Sequence, residues 1–164
     1  MLLTLNDENV SAKAKGFVVR NCPPSSDANT NWIKAFDEAK RMNKRVWVRV
    51  SQRYCGPCFV LARWIDDHLD VLSKDFVFLK VDDVIDLNGR KVAERLVHGR
   101  PVGVPFHAIF NDDQQLLIES IGTAGNIGAF SGFEGKQHLE KMLTAGRIAL
   151  TDEDIHGLVD SIKN

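Results

Sequence analysis

The 164-residue sequence is sparing with cysteine, holding three, and has no apolar run near the roughly 20 residues that span a bilayer. Three cysteines do not make the disulfide framework of a small secreted scaffold. A net charge of −1 leaves no excess of either sign, so the composition gives no footprint for nucleic acid or a membrane surface. The opening residues MLLTLNDENV lack a basic leader and a long apolar segment, and no signal peptide is read there. That favours a cytoplasmic location, or a periplasmic one if the sequence is a trimmed piece. No second CxxC and no paired histidines accompany the cysteines, so no metal is expected. The glycines at 122, 125, 128, 132 and 135 match no phosphate-binding spacing between a strand and a helix, so neither a nucleotide nor another cofactor is expected. Repeats and low-complexity tracts are absent. What is present, 44% hydrophobic and 26% charged residues, suits one globular domain with a proper core.

The chemistry concentrates in Tyr54-Cys55-Gly56-Pro57-Cys58, which follows the apolar run Val46–Val50 and opens a helical pattern. Two thiols separated by two residues at a strand-to-helix junction form the arrangement a dithiol/disulfide switch requires. Pro57 suits the first turn of a helix, where its missing N–H leaves no bond unmade. Cys55 then lies at the helix N-terminus, where unpaired N–H groups favour a thiolate. A free thiol near pKa 8.5 is about 3 per cent thiolate at neutral pH, whereas one lowered to about 7 is roughly half ionised.

Around this stretch the pattern alternates. Gly16–Val19 reads as a short edge strand, and Cys22, with no partner at motif spacing, as a free thiol. Trp32, Ala35, Phe36, Ala39 and Met42 recur at helical steps, and Asn43 closes that helix. Leu61, Trp64, Ile65, His68, Leu69 and Leu72 mark one face of a second helix. Phe76–Val81 reads as a strand ended by Asp82-Asp83, and Lys91–Val97 as a shorter helix. Val104-Pro105 leads into a strand through Phe110, since proline belongs at a strand start. Asn111–Asp113 turns the chain, and Leu116–Ile121 returns it. Residues 122–135 read as a long loop. Leu139, Met142 and Leu143 then mark one helix, and Thr151–Asp154 caps another. The alternation argues an α/β fold with a mixed sheet.

These residues resemble the thioredoxin superfamily, and specifically bacterial thioredoxin-like proteins with a helical tail. The resemblance rests on Cys55-Gly56-Pro57-Cys58 after an apolar strand and on Val104-Pro105 about fifty residues on. It divides the chain into an N-terminal segment, 1–30, a core, 31–122, and a glycine-rich loop with C-terminal helices, 123–164, within a single domain. It implies a thioredoxin fold, with a central mixed sheet flanked by helices. It implies that Cys55 attacks, that Cys58 resolves, and that Val104-Pro105 is cis beside them. In the family this loop presents main-chain groups to an extended substrate segment. The implied activity is protein-disulfide oxidoreduction, in the reducing direction. The partners would be a disulfide-containing protein and an upstream electron donor or acceptor, with the protein itself a monomer.

Three departures from the family pattern stand out. Tyr54 replaces the usual tryptophan and is expected to supply an aromatic wall. Phe59 replaces a basic residue and makes the rim apolar. Arg49, six residues before Cys55, stands where classical thioredoxins bury an aspartate that relays the resolving thiol's proton, and a guanidinium cannot accept that proton. Two readings of Arg49 follow. Either it snorkels to solvent or pairs with Asp66 or Asp82, or its charge favours thiolate and makes the pair more oxidising.

The other candidates read as structural. His68 is a boundary residue. His107, two past Pro105, is more readily a packing group than a proton carrier. Trp32, Trp47 and Trp64 sit at core positions. Asp66-Asp67, Asp82-Asp83 and Asp112-Asp113 are solvated or capping groups. One alternative to the enzyme remains, a redox-regulated peptide-binding module with little turnover.

Overall fold

The structure is a computed structural model, and it describes residues 26–164; the Gly16–Val19 strand and Cys22 lie outside those residues. In order, the elements are α1 (Ala28–Met42), β1 (Arg45–Ser51), α2 (Gly56–Asp67), α3 (Leu69–Leu72), β2 (Phe76–Asp82) and α4 (Gly89–Val97). There follow β3 (Phe106–Phe110), β4 (Leu116–Glu119), β5 (Ile121–Gly122), β6 (Gly125–Asn126), α5 (Gly132–Gly146) and α6 (Asp152–Asp160). The main sheet runs β2-β1-β3-β4, with β1 parallel to β2 and the other pairs antiparallel. This is the mixed α/β sheet that the alternating pattern predicts.

Successive side chains of a strand face opposite ways, and here that alternation sorts two cores. Val46, Val48 and Val50 share one face with Val77, Leu79, Val81, Phe106 and Ala108, covered by Ala35, Phe36 and Ala39 of α1 and Val92 and Leu96 of α4. Trp47 faces the other way with Phe76, Phe78 and Ile109, under Leu61 and Ile65 of α2 and Leu139, Met142 and Leu143 of α5. Each fully buried aliphatic or aromatic side chain here stabilises the fold by about 1.5–3 kcal/mol. Asn43 ends α1 in the left-handed conformation, its N–H turned back to Ala39 and Lys40. Thr151 and Asp154 form the capping box of α6.

Three expectations from the sequence change. The second helix does not run through to Leu72: it stops at His68, whose ring Nδ1 sits 2.8 Å from the Trp64 carbonyl, and a single turn follows. The strand after Leu116 breaks at buried Ser120 rather than continuing to Ile121. The segment after it is not all loop. Ile121 pairs with Asn126 in a two-stranded ribbon, and α5 begins at Gly132.

Asp75 organises the join between α5 and α6. Wholly buried before β2, its carboxylate accepts the N–H groups of Ile148 at 2.8 Å, Ala149 at 2.6 Å and Leu150 at 3.0 Å. α6 then adds Ile155 and Leu158, and Ile162 just beyond it joins them, in the core beneath the sheet.

Candidate functional site

The end of β1 delivers the chain into α2 through Gln52–Cys55. Cys55 is extended, with φ −92° and ψ 107°, and caps the helix: its sulfur accepts the Cys58 N–H at 3.2 Å. Pro57 falls in the first turn, where no N–H is needed. Cys55 and Cys58 are joined by a disulfide with Cα atoms 5.2 Å apart. Cys55 is half-buried and Cys58 is only 2% exposed. The bridge therefore presents one sulfur at the surface and keeps the other under the helix. In the reduced state the unpaired amides of α2 favour negative charge on the outer sulfur.

Val104-Pro105 forms a cis peptide, as the resemblance implies, and Cys55 Sγ lies 3.7 Å from the Val104 carbonyl. Two other groups hold this loop in place. Arg100 meets Glu119 through two bonds of 2.7 Å, which raises the pKa of the guanidinium and lowers that of the carboxylate. Asn126 donates to the Gly103 and Pro105 carbonyls at 2.8 and 3.0 Å. Gly128 adopts φ +63°, and a Cβ there would meet Pro105 Cδ at 3.7 Å, so its conformation is what requires glycine.

His107 is fully buried beneath the loop. The Trp47 indole N–H donates to its Nδ1 at 3.2 Å, so the ring proton sits on Nε2 and points at the Gly128 carbonyl, 2.8 Å away. Burial pushes its pKa down to about 4; the Gly128 bond raises it, and the charges of His138 and Arg49 lower it further. At neutral pH the ring is an uncharged strut.

The departures resolve differently from one another. Arg49 does not snorkel: it is 3% exposed, and Nη1 donates to the Cys58 carbonyl at 3.3 Å. Its strand position aims it beneath α2, beside Lys80 and His107 in register, so no path to water is open. Of the acidic groups considered for it, Asp82 spends its Oδ1 on the N–H groups of Val84 and Ile85. Tyr54 is 91% exposed, with the Arg53 guanidinium 5.8 Å from its ring centre. Phe59 is exposed, so the rim beside Cys58 is apolar as expected. Trp47 is core, while Trp32 and Trp64 are half-buried and donate to Gln114 and Ser161.

Among the described residues, no group of three or more histidine, cysteine or acidic side chains could hold a metal, and no helix is long and apolar enough to cross a membrane. Sequence reasoning missed Asn126, Ser120 and Gly128. Asn126 and Gly128 lie in a glycine-rich stretch with no periodic pattern, where the hint was a polar residue able to bond backbone, and Ser120 sits where the strand expected through Ile121 breaks.

The family model described as thioredoxin-like matches residues 27–112, more than half of the chain. No curated protein matches. Among solved structures, a disulphide isomerase from Xylella fastidiosa is 18% identical with a TM-score of 0.48, the match covering 82% of this chain and 90% of that one. A poplar thioredoxin h is 17% identical with a TM-score of 0.48, over 73% of this chain and 92% of its own. A thioredoxin from Nicotiana alata is 18% identical with a TM-score of 0.49, over 78% and 98%. The family model, rather than these distant likenesses, decides the assignment: the chain belongs to the thioredoxin-like family.

Proposed function

We propose that the protein is a thiol-disulfide oxidoreductase that reduces disulfides of other proteins through Cys55 and Cys58. The Cys55 thiolate attacks one sulfur of a client disulfide, and the other client sulfur leaves as a thiolate that takes up a proton. Cys58 then loses its proton and attacks Cys55 Sγ. The mixed disulfide breaks, the client leaves fully reduced, and the Cys55–Cys58 bridge holds the two electrons' worth of oxidation. An upstream donor restores the dithiol. Gly56 and Pro57 set the spacing and helix start, Tyr54 offers an exposed aromatic at the rim, and the Val104-Pro105 loop receives the client's main chain.

One observation carries this reading: a bridged pair at a helix N-terminus whose accessible sulfur lies 3.7 Å from the Val104 carbonyl. Dithiothreitol-driven reduction of insulin tests it. Catalytic acceleration that disappears in Cys55→Ser is expected. Binding of peptides without any acceleration would leave a redox-regulated module instead.

A further inference from the structure

We propose that Asn126 is the positioning residue for client binding: its carboxamide fixes the carbonyls on either side of Val104, so that Val104's own main-chain groups face an extended polypeptide beside Cys55. This rests on the oxidoreductase reading and adds to it what sets the client's position.

A carboxamide has two N–H donors and two lone pairs. In Asn126 all four are used. Nδ2 donates to Gly103 O and Pro105 O at 2.8 and 3.0 Å, while Oδ1 accepts from the Ser120 hydroxyl at 2.7 Å and the Gly128 N–H at 3.3 Å. Those partners leave one orientation for the amide. Ser120, wholly buried, is fixed in turn: its oxygen accepts the His107 N–H at 3.0 Å, and its N–H donates to the His107 carbonyl at 2.7 Å. Asn126, at the end of β6, is thus tied through Ser120 to β3 and grips the loop that leads into that strand. Aspartate lacks the donors, and glutamine is a methylene too long for the span.

The gain is in position rather than in satisfying stranded polar groups. Gly103 is exposed, and water would pair its carbonyl without help. With the Gly103 and Pro105 carbonyls turned back to Asn126, the Val104 carbonyl is the one left toward Cys55 Sγ. The ligand this arrangement fits is an extended peptide backbone, since a small disulfide offers no main chain to the loop.

The test compares insulin with hydroxyethyl disulfide, using the full chain and the Asn126→Asp variant. That change keeps acceptors for Ser120 and Gly128 and sets an anionic oxygen against the two loop carbonyls. The expected result is a rise in KM for insulin, with kcat/KM falling on the order of tenfold more than for hydroxyethyl disulfide. Parallel losses on both substrates, or no loss on insulin, overturn the proposal. If the wild-type protein reduces neither disulfide, the oxidoreductase reading fails by itself. In that case, and if the variant does not fold, exchange of the two wild-type Asn126 Nδ2 protons decides. Slow exchange of both upholds the clamp, and exchange at the rate of a free carboxamide overturns it.

Discussion

Trp47 and His107 lie nearly parallel, ring centres 5.9 Å apart and planes inclined by 20°, with the indole N–H bonded to the imidazole Nδ1. Burial holds this histidine neutral in the fold, whereas an unfolded histidine titrates near 6.5. Because the folded pKa is depressed to about 4, the unfolded chain binds more protons between those values. The stabilisation is therefore complete above about 6.5 and is lost as pH falls toward 4, by about 3 kcal/mol over the window. Urea midpoints measured from pH 7 to 4 should decline accordingly, and the His107 ring resonances should not titrate above pH 5. A ring midpoint near 6.5 would contradict the buried, neutral strut.

Asp75 is expected to matter to stability far from the cysteines. Asp75→Ala leaves the N–H groups of Ile148, Ala149 and Leu150 without their carboxylate and should cost about 3 kcal/mol. Asp75→Asn keeps one acceptor and should cost less. Urea unfolding with an unchanged m-value is the measurement; equal, negligible losses would mean that the α5–α6 join is held by packing alone.

Gly146 closes α5 directly over the sheet. A Cβ there would stand 2.6 Å from Phe76 Cε1, 2.9 Å from Cζ and 3.2 Å from Ile109 Cγ2, all on fully buried side chains. Alanine's helix preference is worth up to about 1 kcal/mol. Overpacking costs about 1–3 kcal/mol, so the clash should win. Gly146→Ala is expected to lower the melting temperature, and a rise would show that Phe76 can yield.

Arg49 places a cation beneath the buried member of the pair, 3.3 Å from the Cys58 carbonyl. Reduction creates anionic sulfur that the bridge lacks, so the charge favours the dithiol and raises the reduction potential. Arg49→Asp should shift the glutathione equilibrium at least tenfold toward the disulfide, about 30 mV. Arg49→Met should move it in the same direction by less. An unmoved equilibrium would leave Arg49 as packing under α2.

The sequence showed most clearly what repeats along the chain. The valines of β1, the apolar steps of α1 and the Thr151 capping box are local patterns, and the structure keeps them. The CxxC junction was equally legible, because proline and two cysteines permit few other arrangements. Long-range polar bonds were not. Asp75 meets residues 73 to 75 positions away, and Asn126 reaches back 21 and 23, with no periodicity to announce either. Arg49 was legible in place but not in surroundings: charge suggests water, and only the assembled α2 shows that water is shut out.

The central claim concerns the charge on one sulfur. In the reduced Cys22→Ser, Cys58→Ser protein, alkylation of Cys55 by iodoacetamide, followed against pH, reports its ionisation directly. The account predicts a midpoint clearly below the roughly 8.5 of a free thiol, with rapid reaction at neutral pH. A midpoint at or above 8.5 would contradict it, leaving a thioredoxin-like frame around an ordinary cysteine.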